Sequence, residues 1–173
     1  MVSLQTIRER IGAVIAPSLV EKRDLALRAA NTDTLTGLGN RAAFDLALPQ
    51  ALADQSAFIL FDLNNFGLVN KVLGHSLGDE ILKHIGAGLG IIARLYICRA
   101  FRVGGDEFVI ICSPSSGSII RDRAESFIKP FRFPGFEVSI TGEVGQSVED
   151  ADSRLQGRKA IRKLAGLVFK EDN

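Results

Sequence analysis

A pair of glycines between two short apolar runs is the feature that most constrains this chain. Residues 96–101 precede Gly104-Gly105 and residues 108–112 follow it, and both runs are rich in β-branched or aromatic side chains. Because glycine accepts the positive φ angles of tight turns, this pattern predicts a β-hairpin. Asp106 and Glu107 come directly after the glycines. They indicate either a solvated hairpin tip or a backbone that a ligand approaches closely, beside charges that hold a cation.

A second apolar run, residues 57–62, ends in Asp62 and predicts a central strand that is buried on both faces. An acid at this place is a candidate for chemistry, because open α/β sheets bind ligands at the ends of their strands. Capping of the next helix is the alternative role for Asp62.

The rest of the chain shows mainly helical spacing of its apolar residues. Helices are predicted over residues 3–30 with a break at Pro17, 41–48 with Asn40 as N-cap and Pro49 beyond the end, 66–73, 76–92, 118–128 and 152–164. Further strands are predicted over residues 136–140, with 143–146 as an extension, and 167–169. This order predicts an α/β (α+β) fold, with a ferredoxin-like, palm-polymerase-like mixed central sheet flanked by helices and an N-terminal helical extension.

Residues 1–30 are predicted to form an N-terminal helical segment, and residues 31–173 the main domain. In the first segment a short heptad stripe consists of Leu4, Ile7, Ile11 and Val14. The stripe fits a dimerising or signal-coupling helix, and it also fits a helix packed on its own domain. Two heptads are too few to distinguish these alternatives.

Composition excludes several classes of protein. The chain has 173 residues, which fits one domain plus an extra element, and a formal net charge of +1. Nonspecific nucleic-acid binding is therefore not expected, and no apolar run is long enough to span a bilayer. Because no secretion signal precedes them, Cys98 and Cys112 are expected to be free thiols in the cytoplasm, although the two predicted strands could also bring them face to face.

Asp62, Asp106 and Glu107 converge if the first strand lies beside the hairpin. Carboxylates with a backbone carbonyl, such as that of Leu63, form an oxygen-only ligand set that suits Mg²⁺ (or Mn²⁺). Neither His75 nor His84 has a partner at zinc spacing. Converging acids beside a glycine backbone favour phosphoryl transfer, and without a P-loop lysine motif the geometry expected is that of a palm-like polymerase.

Five blocks of the sequence, taken together, resemble the GGDEF family of diguanylate cyclases. Residues 104–108 spell the family's signature, and residues 33–41 resemble its D-x-L-T-G-L-x-N-R opening. Residues 62–70 and 74–79 resemble its D-x-D-x-F-K-x-x-N and G-H-x-x-G-D blocks, and residues 151–163 resemble a decayed form of its closing block. The resemblance covers about residues 33–164.

The resemblance implies a role for each matching residue. The catalytic and metal-binding residues would be Asp62, Leu63 through its carbonyl, Asp106 and Glu107. The guanine-binding residues would be Asn70 and Asp79. The phosphate-binding residues would be Phe66, Gly67, Gly104, Gly105, Lys159 and Lys163. Alternatively, Asn70 and Asp79 are helix caps, and Lys159 and Lys163 lie on a solvated basic helix.

Several departures from the family pattern weaken the phosphate side of the site. Gly67 and Lys163 stand where Lys and Arg are usual, so a phosphate charge and a bidentate contact are lost. Asn64 replaces the second Asp of D-x-D, Lys71 replaces the Asp after Asn70, and Gln156 replaces a Tyr. The family's inhibitory product site, R-x-x-D, falls on Leu95 and Cys98, so it is expected to be absent.

The resemblance implies an enzyme that condenses two GTP into cyclic di-GMP and releases two pyrophosphates across a homodimer. The alternative is a weak or inactive GGDEF module that binds GTP and acts as a regulatory or interaction domain. No nucleic-acid partner is expected, and the chain can be part of a larger sensor protein.

Overall fold

The computed structural model describes residue 5 and residues 19–168, with side chains up to residue 161. The helices are α1 (Leu19–Ala30), α2 (Arg41–Ala53), α3 (Phe66–Leu73), α4 (His75–Leu95), α5 (Gly117–Phe127) and α6 (Val148–Val168). The strands are β1 (Ala57–Asn64), β2 (Arg99–Arg102), β3 (Glu107–Cys112), β4 (Phe131–Phe133) and β5 (Phe136–Gly145), and a short 3₁₀ turn spans Pro114–Ser116.

The strands form one five-stranded sheet in the order β2-β3-β1-β5-β4. The predicted hairpin is confirmed as β2 and β3, and β1 lies between β3 and β5. The α+β class is confirmed, but the pairs between these strands are antiparallel rather than mixed. Strands β1 and β2, which are connected through α3 and α4, run in the same direction. Strand β3 lies between them and is antiparallel to both.

Side chains of β1 alternate between two hydrophobic layers, as the period of a strand requires. Ile59, Phe61 and Leu63 face a large cluster that also contains the buried sides of α3, α4 and α5. Phe58 faces the opposite layer, where α2 and the start of α6 cover the sheet. Asp62 has the same parity as Phe58, so its carboxylate lies on the side of the sheet that α6 covers.

Two predicted elements differ from the structure, and one short strand was not predicted. Helix α2 continues through Pro49, because its buried face extends to Ala51 while the proline ring lies on the exposed side. Residues 167 and 168 belong to α6 and not to a strand, whereas residue 169 lies outside the described residues. Strand β4 was not predicted, because it is only three residues long and its pattern is set by pairing with β5.

The predicted N-terminal helix is present over residues 19–30, and the heptad stripe and Pro17 lie outside the described residues. Helix α1 buries none of its residues against the described part of the chain. No described helix has the length and apolar character needed to cross a membrane.

Cys98 and Cys112 are free thiols, as predicted, although Cys98 precedes β2 rather than lying within it. Burial raises the pKa of each thiol to about 11. Both thiols are therefore protonated at neutral pH and are poor nucleophiles.

Candidate active site

Asp62 and Glu107 are direct cross-strand partners near the end of β1. Cross-strand partners project from the same face of a sheet, and like charges placed opposite each other are destabilising. The ammonium of Lys159, from α6, lies 2.6 Å from a carboxylate oxygen of Asp62 and offsets part of this repulsion. The side chain of Asp62 is only 15% exposed, so its carboxylate is largely shielded from solvent.

Asp106 lies close enough to Asp62 for the two charges to interact. Burial raises the pKa of Asp106 above its ordinary value, and the negative charge of Asp62 raises it further. Lys159 and Arg102 lower this pKa, but they do not compensate fully. The structure thus brings together the two acids that are 44 positions apart in the sequence, and it leaves them short of positive charge.

These acids fit a hard divalent cation. No group of three or more acidic, histidine or cysteine side chains within the described residues is arranged to hold a metal by protein ligands alone. However, Mg²⁺ is usually bound by one or two carboxylates, with substrate phosphates and water as its other ligands. Such an ion would neutralise the part of the negative charge on Asp62 and Asp106 that Lys159 does not offset.

The glycine turn is anchored by Arg102, a residue to which sequence analysis assigned no role. Its Nη2 donates to the carbonyl of Gly105 at 2.7 Å, and its Nη1 lies 3.3 Å from a carboxylate oxygen of Asp33. The carboxylate of Asp33 also accepts from the amide and the hydroxyl of Thr36. Arg102 therefore links the turn directly to the loop 33–41. In the sequence, the only indication of this anchoring role was the position of Arg102, two residues before the glycine pair.

The corner between β1 and α3 exposes the start of a helix. Asn65 adopts a left-handed conformation at φ 63°, and its side chain donates to the carbonyl of Glu137 instead of capping α3. The first amides of α3, at Phe66 and Gly67, thus have no side-chain cap. A helix N-terminus of this kind favours phosphate oxygens. Beyond its own turn of helix, no atom of the described residues lies within 4 Å of where a Cβ on Gly67 would be, so the space beside it is open.

Asn64 shows why a carboxylate is not needed at its position. Its amide donates to the hydroxyl of Thr141 at 2.6 Å and to the carbonyl and hydroxyl of Ser139. An amide donor satisfies these acceptors, whereas an ionised Asp cannot donate. Asn64 therefore secures β5 to β1, and it is not a candidate metal ligand.

Asn70 and Asp79 lie on the neighbouring helices α3 and α4. The side chain of Asn70 packs so closely on Gly78 that a Cβ there would overlap its Oδ1. That oxygen is buried and has no hydrogen-bond partner within the described part of the chain. Asp79 follows Gly78 directly and is exposed. The helix-cap alternative is not supported, because both residues lie inside their helices.

Helix α6 places Lys159 against the sheet through a second arginine that sequence analysis missed. Arg158 donates to Glu125 at 2.9 Å, to the carbonyl of Gly142 at 2.8 Å and to Glu143 at 3.2 Å. These contacts fix α6 to both α5 and β5. Lys163 belongs to the same helix, but its side chain lies outside the described residues.

A cavity of about 280 Å³ opens beside Asp62, Glu107 and Lys159, and its floor includes Phe44 and Leu155. A larger cleft of about 630 Å³ lies at the other end of β1, next to Ala57 and Arg154. We place the site at the smaller cavity, because the paired acids, the glycine turn and the uncapped helix start all lie at that end of the sheet.

Comparison of the sequence with known proteins identifies relatives of this chain. The family model for "Diguanylate cyclase, GGDEF domain" matches residues 30–164. The bifunctional diguanylate cyclase/cyclic di-GMP phosphodiesterase MucR of Pseudomonas aeruginosa is 30% identical over 170 residues, which cover 92% of this chain and 25% of MucR. The diguanylate cyclase DgcS of Shewanella oneidensis is 34% identical over 146 residues, which cover 74% of this chain and 49% of DgcS. The chain thus spans half or less of these relatives.

Solved structures show the same fold. The coiled coil and GGDEF domain of DgcB from Caulobacter crescentus, in complex with c-di-GMP, matches with a TM-score of 0.73 at 22% identity and covers 91% of this chain and 95% of that one. The GGDEF domain of DgcB alone matches with a TM-score of 0.61 at 28% identity and covers 76% of this chain and 91% of that one.

Proposed function

This chain belongs to the GGDEF domain family, and we propose that it is a diguanylate cyclase that condenses two GTP into cyclic di-GMP and two pyrophosphates. The 3′-hydroxyl of one GTP would attack the α-phosphate of the other and expel pyrophosphate, and the second bond would form in the same way. The observation that carries this proposal is the gathering of Asp62, Asp106 and Glu107 at the end of β1, beside a glycine turn whose Gly105 carbonyl accepts from Arg102.

Asp62 and Asp106, with the carbonyl of Leu63 and with Glu107 beside them, would hold Mg²⁺ or Mn²⁺. The bound ion would supply the charge that stabilises the phosphate oxygens during transfer. The raised pKa of Asp106 supports this role, since burial and a neighbouring acid make its ionised form costly until a cation is present.

The triphosphate would bind the backbone amides at Phe66 and Gly67, the turn at Gly104-Gly105, and the ammonium groups of Lys159 and Lys163. The uncapped start of α3 supports the first contact, because its free N–H groups and helix dipole favour anions. Lys159 already lies beside Asp62, so its ammonium is placed at the edge of the acidic site.

Asn70 and Asp79 would bind the guanine. A carboxylate accepts from both N1–H and the exocyclic amine of guanine, and adenine offers no such pair of donors. The packing of Asn70 on Gly78, the residue before Asp79, supports this assignment, because it places the two polar residues side by side at the junction of α3 and α4.

Since one domain would hold one GTP, turnover requires a homodimer. Helix α1 supports this arrangement: Leu19 and Leu25 are 86% and 68% exposed within one chain, and pairing of two copies would bury such side chains. Under this proposal residues 1–30 are the coupling segment, residues 31–173 are the catalytic domain, and the protein acts in the cytoplasm, where GTP is available. A place in a larger sensor is part of the same proposal.

The test is an assay of GTP turnover by the purified chain with Mg²⁺ or Mn²⁺, read by chromatography of the cyclic dinucleotide and by pyrophosphate release. Asp106→Asn is the matched control, since it removes the charge and keeps the shape. Product from the native protein and none from the variant supports the proposal. A folded dimer that yields no product contradicts it.

A second candidate is a module that binds GTP without turnover and signals through a partner. Gly67 and Lys71 motivate it, because one lacks the usual phosphate charge and the other replaces an acid with a base. Calorimetric GTP binding without pyrophosphate release would favour this module over the cyclase. Absence of GTP binding would contradict both.

A further inference from the structure

We propose that the C-terminal end of α4 is a docking surface for an anionic lipid bilayer. The surface, called the α4-end patch, consists of Ile91, Leu95, Ile97 and Phe127, with exposed fractions of 39%, 70%, 95% and 54%. Leu95 and Phe127 line one shallow groove together with Tyr96. The proposal is independent of the nucleotide chemistry, because the patch is far from the acids.

Ile97 is an unusual residue for its conformation. Helix α4 ends with the amide of Cys98 bonded to the carbonyl of Ala93 and the amide of Ile97 directed to the carbonyl of Arg94, which is the Schellman pattern. Ile97 takes the left-handed position at φ 52°, where glycine or asparagine is normally found. A β-branched side chain in this conformation strains the backbone. Because the side chain is almost fully exposed, no packing within the described chain offsets that strain. Such an outlier is better explained by a role outside the chain.

The charges around the patch are basic. Arg94, Arg99, Arg123 and Lys129 are exposed, and neither residues 91–99 nor residues 126–132 include an acid. The acids of α5 are turned to other partners: Asp122 pairs with Arg121 at 2.8 Å and Glu125 with Arg158 at 2.9 Å. Protruding apolar side chains within a basic rim match the headgroup region of an anionic membrane.

The same charges argue against pairing of two patches, since a self-complementary interface would bring two basic rims together. The exposure of Ile97 and Leu95 also favours a bilayer, because these apolar side chains can enter the boundary between headgroups and acyl chains.

The position of the patch agrees with continued access to the candidate site. Helix α4 is 21 residues long and starts near Asp79, so its two ends are about 30 Å apart. Strand β2 likewise begins near Ile97 and ends at the glycine turn. A bilayer on the patch would therefore leave the acids facing solvent. By the resemblance described above, the family's inhibitory product site falls on Leu95 and Cys98, so the same region has a different chemistry here.

The experiment is co-sedimentation of the full chain with vesicles of phosphatidylcholine alone, and with vesicles in which about a third of the lipid is phosphatidylglycerol. Binding is expected to the anionic vesicles only, and it should fall as salt is raised. Ile97→Asp is expected to weaken binding about tenfold or more, because the apolar tip is lost. Arg94→Gln and Arg99→Gln should each weaken it about fivefold.

Leu46→Asp is the matched control, because Leu46 is 71% exposed and lies on α2, away from the patch, whereas Leu95 is 70% exposed within it. Leu95→Asp should reduce binding and Leu46→Asp should not. Ile97→Asn provides a folding control, since asparagine suits the left-handed position and should keep or raise the melting temperature while binding is weakened. Equal binding to neutral vesicles, equal loss with Leu46→Asp, or no binding at all would overturn the proposal. So would a native dimer that Ile97→Asp converts to a monomer, which would assign the patch to a protein interface.

Discussion

Arg102 joins Asp33 to the glycine turn across 69 positions of sequence. Its guanidinium contacts the carboxylate with one nitrogen and the carbonyl of Gly105 with two others. Because the side chain of Arg102 is only 15% exposed, solvent screens this pair weakly. The turn that would approach GTP is thus held by a residue outside it.

Arg102→Lys is expected to reduce stability and turnover together. An ammonium is a point charge and cannot bridge the carboxylate and the Gly105 carbonyl in the same fixed geometry, so we expect a loss of about 1–3 kcal/mol in the free energy of unfolding. Urea unfolding and GTP turnover measure the two effects. Arg41→Lys is the stability control, because the Arg41–Asp45 pair is exposed and should change stability by less than about 0.5 kcal/mol. Equal effects of both substitutions would contradict the anchoring role.

Asp33→Asn is expected to destabilise the protein at neutral pH and progressively less in acid. Burial raises the pKa of Asp33, but hydrogen bonds from Thr36 and the charge of Arg102 outweigh it, so the pKa is lowered overall. A lowered pKa means that the carboxylate stabilises the fold above its unfolded pKa of about 4 and loses this contribution as pH falls through the folded value. Urea unfolding at a series of pH values should show the two proteins converging below about pH 4. A constant difference across the series would contradict this.

Lys159→Met is expected to raise the pKa of Asp106 further. Burial and the charge of Asp62 already raise this pKa, and Lys159 is one of the groups that lower it. Carbon NMR titration of the Asp106 carboxyl measures the change, and Lys83→Met, at an exposed pair with Glu80, should leave it unaltered. Since a raised pKa makes ionisation costly, the contribution of Asp106 to stability is lost as pH rises through its folded pKa. Asp106→Asn should therefore increase stability at neutral pH while abolishing turnover.

Gly67→Lys is expected to strengthen GTP binding. The space beside Gly67 is open and the residue lies in the first turn of α3, so a lysine can reach the phosphates without a clash. Gly67→Ala separates the effect of the added charge from the effect on helix stability. Both variants should gain about 0.5–1 kcal/mol of helix stability, but only the lysine adds a positive charge. Calorimetry should show tighter GTP binding for lysine alone. Similar affinities for both variants would argue against phosphate binding at this corner.

Arg158→Gln is expected to cost about 1–2 kcal/mol of stability and to weaken GTP binding, because its contacts with Glu125, Glu143 and the Gly142 carbonyl hold the helix that carries Lys159. Arg154→Gln breaks an exposed pair with Asp150 one turn earlier and should cost less than about 0.5 kcal/mol. Thermal unfolding and GTP affinity measure the contrast. If the two variants behave alike, Arg158 has no special role.

Local sequence patterns predicted the helices and strands whose ends are marked by a glycine, a capping residue or a terminal acid. Gly74 ends α3 at φ 88° and separates it from α4, and the side chain of Asn40 accepts from the amide of Ala43, as an N-cap does. The run ending in Asp62 is a strand buried at its centre. These features depend on neighbouring residues, so the sequence alone determined them.

Long-range packing decided the rest. Pro49 stays inside α2 because that helix has a buried face to fill, and Asn64 is an amide because β5 offers hydroxyl and carbonyl acceptors 75 and 77 positions away. The roles of Arg102 and Arg158 were not predicted for the same reason. Their partners are remote in sequence, and no local pattern around an arginine indicates which acceptor it will bind. The sequence determined which acids could serve a cation, and only the tertiary structure decided that Glu107 would lie opposite Asp62 and Lys159 beside it. Strand pairing and helix packing set those distances, and neither is encoded by residues that are adjacent in the chain.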